Sequence, residues 1–169
     1  MSHYETILAT YDSIHRSPAN RASHAIGIPL IVTSMIAAAS YVGVPGDGLW
    51  AFANLATVLT AIAVATVLSW SVLAGLAYLA LMVACYAAAM ALKAQLDGWM
   101  AAGVIAAGFV LGWVFQFIGH GFEGKSPEFV QRPENLLLGP VMIMAELIPA
   151  IRPQSLRARH RTSLTESAR

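Results

Sequence analysis

Charge is scarce in this chain of 169 residues: Asp, Glu, Lys and Arg make up 11% of it, against 57% hydrophobic residues. Soluble domains carry about 25% charged and about 45–50% apolar residues, which excludes a water-soluble globule and points to a membrane protein. From Ala22 to Leu92 there is no Lys or Arg, and the one acidic residue in that stretch is Asp47. Segment 49–92 offers only Thr, Ser, Asn54 and Cys85 as small polar side chains, which argues against a pathway for a charged solute. Cysteine is limited to Cys85, so no internal disulfide or thiolate cluster can form, and Cys85 reads as a small buried hydrophobe. No internal repeat is evident. Five histidines are too few for the clustered histidine boxes of a membrane di-iron desaturase. The stretch before the first apolar run carries Glu5 and Asp12, unlike the short basic region of a cleaved signal peptide, so the first hydrophobic segment is expected to stay in the membrane.

Four stretches reach the roughly 20 apolar residues that a transmembrane helix needs: Ile26–Val44, Leu49–Trp70, Ser71–Leu92 and Met100–Ile118. Val44-Pro-Gly-Asp-Gly48 and Ser69-Trp70-Ser71 read as turns between antiparallel spans. A fifth run, Leu136–Ile151, is shorter, contains Glu146 and is bracketed by Pro133 and Pro153, so it reads as re-entrant, interfacial or packed against the bundle. The expected fold is all-α: an integral membrane bundle of four transmembrane helices, with an N-terminal helix and a C-terminal re-entrant or interfacial helix. Residues 1–156 form one membrane domain, and 157–169 read as a basic, disordered tail suited to anionic lipid.

Arg16 and Arg21 precede the first span, while Arg152, Arg157, Arg159 and Arg161 follow the fifth run. Positive flanks favour the cytoplasm, so both termini are expected there, at the inner membrane if the source is bacterial. Five of the ten basic residues lie at or after Arg152, so the formal charge of +1 says little about partners, and no nucleic-acid partner is expected. Gly108-Phe-Val-Leu-Gly112 has the GxxxG spacing of closely packed membrane helices.

The ligand-capable side chains collect at two edges of this apolar chain: His15 to His24 before the first span, and Gln116 to Glu123 after the fourth. Four crossings place both edges on one membrane face. His15 and His24 are nine residues apart, on opposite sides of one continuous helix at about 100° per residue. Ser17-Pro18 resolves this, because Ser favours the N-cap and Pro the first helical position, so a break there frees His15 to swing beside His24. Asn20 is four residues before His24 and is expected to orient its ring. Trp113, Gln116 and His120 share one helical face, with Glu123 following if the helix continues.

Three histidines with nearby amides and carboxylates suit iron, zinc or copper. Each residue has a blander reading: His24 as an interfacial cap, Gln116 bonded to a neighbouring helix, Glu123 paired with Lys125, Glu146 paired with Arg152, and Arg21 as a charge anchor rather than a carboxylate binder. A haem is disfavoured because the histidines lie at span ends.

The ordered motifs are His15-x4-Asn20-x3-His24-x2-Gly27-x-Pro29, then Trp113-x2-Gln116-Phe-x-Gly119-His120-x2-Glu123-x3-Pro127, then Gly139-Pro140-x4-Ala145-Glu146. From about Tyr11 to Ile148 the chain resembles a family of small membrane proteins, long a domain of unknown function, that includes the yeast 2-hydroxy fatty acid dioxygenase. The resemblance implies an Fe(II)-dependent enzyme that shortens a 2-hydroxy fatty acid by one carbon with O2, with membrane lipid around it. On that reading His15, His24 and His120 hold Fe(2+), Glu123 is a fourth ligand or a base, and Asn20, Gln116 and Glu146 support the site. The contrasting expectation is a non-catalytic scaffold or small transporter with a structural metal site.

Overall fold

The computed structural model describes residues 2–15, 17–46, 48–124, 137–154 and 156–157, with backbone only at 14 and 123. Among these residues there are six α-helices: α1 (His3–Ile14), α2 (Pro18–Ala39), α3 (Leu55–Trp70), α4 (Val72–Gln95), α5 (Gly98–Glu123) and α6 (Leu138–Leu147). Single 3-10 turns occupy Gly48–Phe52 and Pro149–Ile151.

Three helices, α2, α4 and α5, are long and apolar enough to cross a membrane. The expected second span, Leu49–Trp70, is shorter than predicted. Its first residues form the 3-10 turn, and the loop closes when Leu55 N donates to Val42 O (2.7 Å) and Val44 N to Ala53 O (3.0 Å). Asn54 then caps α3, its Oδ1 accepting from Thr57 N at 3.1 Å. The remaining 16 residues of α3 rise about 24 Å, against a hydrocarbon core of about 30 Å.

The helix of the first span opens at Pro18, as the Ser17-Pro18 signal predicts, eight residues before the apolar run, and it ends at Ala39 rather than Val44, while α5 extends to Glu123. Both extensions run into the polar edges of the chain, and this places His24 and His120 on helices. The fifth apolar run is resolved toward packing against the bundle. In α6, Leu138, Pro140, Val141, Met142, Ile143 and Ala145 are buried, and Val141, Met142 and Ala145 join a core cluster with Tyr4, Leu8, Val67 and Tyr78. The tail beyond 157, Lys125 and the segment 125–136 lie outside the described residues.

Helix α5 packs antiparallel on α2, and glycine sets the closeness. A Cβ at Gly112 would lie 2.6 Å from Ile31 Cγ1 and 2.8 Å from Gly27 O, and one at Gly108 would lie 2.7 Å from Ser34 Oγ. The GxxxG spacing is thus used for backbone approach, as predicted. Counting back along the same seam brings the start of α2 against the end of α5. At the opposite end Lys93 Nζ donates to Ser40 O at 2.8 Å, so α2 and α4 end together and run parallel. The outer faces carry Phe109, Val110, Leu111, Phe117 and Ile118, all exposed, which is a surface suited to lipid rather than water.

Candidate metal centre

Three different elements contribute the histidines. His15 follows the last turn of α1, His24 sits in the second turn of α2, and His120 lies in the last turn of α5. The break between α1 and α2 is the predicted one: Ser17 is extended (φ −71°, ψ 129°) and Pro18 opens the helix. His15 caps α1 at φ −110°, ψ 73°, which turns its ring toward α2. Ring centroids are 4.8 Å apart for His15 and His24, 5.2 Å for His15 and His120, and 4.9 Å for His24 and His120. Each pair of rings meets at 67–78°, so the three enclose a common centre instead of stacking.

All three side chains are buried, and one ligand atom from each lies within 4.8 Å of the others. Two metal–nitrogen bonds of about 2 Å each reach at most about 4 Å, so a small inward shift of the rings lets one ion meet all three. At two of the rings the hydrogen bonds favour the tautomer that a metal needs. His24 Nδ1 is 2.9 Å from the carbonyl of Asn20, and His15 Nδ1 is 3.2 Å from that of Tyr11. A carbonyl only accepts, so each Nδ1 must carry the hydrogen, and each Nε2 keeps a lone pair for a metal. Burial, and then the neighbouring His24, push the His15 pKa down to about 3, so the ring is neutral at physiological pH. A buried triad of this kind can hold a metal ion.

The supporting residues fall into place unevenly. Asn20 orients His24 as expected of the position, but through its backbone carbonyl rather than its side chain. Its fully buried side chain instead packs where Gly119 has no Cβ: a methyl there would lie 2.5 Å from Asn20 Oδ1 and 3.0 Å from His24 Nδ1, and would overlap Ser23 Oγ. Gln116 is buried one turn inside His120, with Nε2 at 2.7 Å from the position a Gly27 Cβ would take; that nitrogen has no hydrogen-bond partner among the described residues. The helix does continue through Glu123, ending at Gly124 in the left-handed region (φ 63°), but the Glu123 side chain lies outside the described residues.

Glu146 has the ion pair expected of the blander reading. Its Oε1 is 2.8 Å from Arg152 Nη2, and its Oε2 is 3.6 Å from Arg21 Nη1. Arg21, only 10% exposed, also donates from Nε to His15 O at 3.0 Å, so it is tied into the site's wall rather than free as a surface anchor.

Two residues at the site escaped the sequence reading. Tyr11 stacks on His15 at 3.7 Å between ring centres and 6° between planes, and Asp12 pairs with Arg152 at 2.6 Å. A usable signal existed: Tyr4, Leu8, Tyr11, Asp12 and His15 recur at helical spacing on one side of α1.

The sequence model of the family described as 2-hydroxy-palmitic acid dioxygenase Mpo1-like matches residues 1–151. The chain belongs to this Mpo1-like family. No curated protein and no solved structure matches it.

Proposed function

For this member of the Mpo1-like family we propose an Fe(II)-dependent membrane dioxygenase that shortens a 2-hydroxy fatty acid by one carbon with O2. The observation that carries this reading is the buried triad of His15, His24 and His120, whose ligand atoms lie within 4.8 Å of one another. Three imidazoles suit Fe(II) and leave positions for further ligands. When bound, the iron supplies O2 chemistry and a Lewis acid for the adjacent hydroxyl and carboxylate oxygens of the substrate. The overall reaction balances without another reductant: a 2-hydroxy acid and O2 give the acid one carbon shorter, carbon dioxide and water.

Burial holds His15 neutral and keeps water from the centre, and the carbonyls of Tyr11 and Asn20 fix the tautomers of His15 and His24. The protein's own charges also favour an acid as substrate. Arg21 and Arg152 are both engaged with carboxylates, so neither is left to neutralise a substrate. Three uncharged ligands leave the ion's positive charge for the substrate carboxylate. Gln116, with its buried Nε2, supplies a hydrogen-bond donor one turn deeper, and Glu123 is in reach by sequence to act as a ligand or base. The alkyl chain would lie among the apolar helices.

The parallel course of α2 and α4 requires α3 to return the chain between them, which supports four crossings with a short third helix. Positive flanks then favour the site and both termini on the cytoplasmic side, at the inner membrane if the source is bacterial.

The test is anaerobic purification, metal analysis, and an assay of 2-hydroxy-palmitic acid with O2. Expected are bound iron and formation of the acid one carbon shorter, with iron lost in His24→Ala and His120→Ala while the fold persists. Full iron retention in both variants would sink the assignment. Stoichiometric metal with no turnover of any 2-hydroxy acid would favour a structural site instead.

A further inference from the structure

His15 is the ligand with the weakest claim to its position. It stands at the end of a twelve-residue helix joined to α2 by a break, whereas His24 and His120 are fixed by the tight α2–α5 seam. Helix α1 is anchored along one face at four-residue intervals: Tyr4 and Leu8 are buried in the core cluster, and Asp12 follows one turn later. Tyr11 stacks on His15 itself, but the contact that ties the last turn of α1 to the C-terminal segment is the ion pair of Asp12 with Arg152.

That ion pair is built around Arg152, whose side chain is wholly buried. Its Nη1 donates to both oxygens of Asp12, at 2.9 and 2.6 Å, its Nη2 to Glu146 Oε1 at 2.8 Å, and its Nε to the Ala145 carbonyl at 3.2 Å. Glu146 passes the contact on to Arg21 at 3.6 Å, and Arg21 Nε donates to His15 O at 3.0 Å. His15 is therefore gripped from two sides: through Asp12, one turn before it on α1, and through its own carbonyl. Among the described residues two cations face two anions, so removing either acid takes a partner from a buried guanidinium, which is costly.

We infer that Asp12 and Arg152 are positioning residues for His15, so that the third metal ligand is in place only when the C-terminal segment after α6 is docked on α1. The inference rests on the three-histidine metal site but not on which ion or substrate it takes.

The test uses the full chain in detergent, stripped of metal and titrated with Co(II), whose visible spectrum reports its nitrogen ligands. Asp12→Asn should bind Co(II) at least about tenfold more weakly, the range seen when outer partners of ligands are lost. Its spectrum should match that of His15→Ala, and Asp12→Glu should restore most of the affinity. Arg152→Lys keeps the charge but loses the fork, and carries the same test if Asp12→Asn does not fold.

Asn54→Ala, at the far end of the bundle, controls for lost stability alone. Wild-type affinity in folded Asp12→Asn or Arg152→Lys, or a loss no greater than in Asn54→Ala, overturns the positioning role while leaving the metal site standing. No Co(II) binding by the wild-type chain would overturn the metal site itself.

Discussion

Replacing Gly119 with alanine isolates the closeness of α2 and α5 from every other property of the site. The new Cβ would meet Asn20 Oδ1 at 2.5 Å and His24 Nδ1 at 3.0 Å and would overlap Ser23 Oγ. Ordinary contact begins near 3.4 Å, so something must yield by about half an ångström or more, and the three nearest atoms belong to buried residues of the helix that carries His24. Overpacking of this kind costs about 1–3 kcal/mol, partly offset by about 1 kcal/mol from better helix propensity. The expected stability loss is thus modest, while the movement falls on a ligand. Metal affinity should drop about 10–100-fold, as when a ligand's outer support is disturbed. Gly121→Ala is the matched control: it lies two residues on, in the same helical turn, and its Cβ meets nothing within 4 Å. Thermal unfolding and metal titration of both variants in detergent make the comparison. Equal metal affinity in Gly119→Ala and Gly121→Ala would refute the claim that this contact sets the site.

Acid should destabilise the metal-free protein through His15, because its folded pKa of about 3 lies below the usual 6.5. Between those values the unfolded chain binds a proton that the folded chain refuses. Stability is therefore full above about pH 6.5 and falls by about 1.4 kcal/mol per unit as pH drops toward 3; His15→Gln should show a shallower slope, and an unchanged slope would count against it. Asn54→Ala should cost about 1–3 kcal/mol, since Asn54 caps α3 and its Nδ2 donates to Ala51 O and Tyr86 Oη at 2.7 and 3.1 Å; metal binding should be untouched, and a changed metal affinity would show that the two ends of the bundle are coupled. Chelation should lower the melting temperature, since a metal at 100 times its dissociation constant adds about 2.7 kcal/mol; the dependence should vanish in His24→Ala, and persistence there would place the metal elsewhere.

The three histidines were legible because the sequence is so poor in polar residues that the exceptions stand out, and because Ser17-Pro18 is a local signal that needs no tertiary knowledge. Helix ends were less legible. Hydropathy marks where a chain becomes apolar, not where it becomes helical, so the apolar run from Ile26 gives the start of α2 eight residues late, and only the Ser17-Pro18 signal places it at Pro18. The opposite error shortened α3: Leu49–Phe52 is apolar enough to read as span, yet Gly43 pairs with Asn54 across the loop and holds those residues in a 3-10 turn. That pairing joins residues eleven apart and has no periodic signature.

The supporting shell shows a deeper limit. Asn20 was expected to act through its amide because side-chain chemistry is what a sequence displays, whereas any residue four positions before His24 supplies the carbonyl that fixes its tautomer. The ring orientation therefore belongs to the helix, and what is specific to Asn20 is its fit against Gly119. Asn20→Ala should accordingly leave the His24 tautomer unchanged and act through the cavity it opens beside the ring, at a site with no exposure. Nitrogen NMR of the imidazoles separates the two: a shift in which His24 nitrogen carries the proton would mean the side chain, not the carbonyl, sets it.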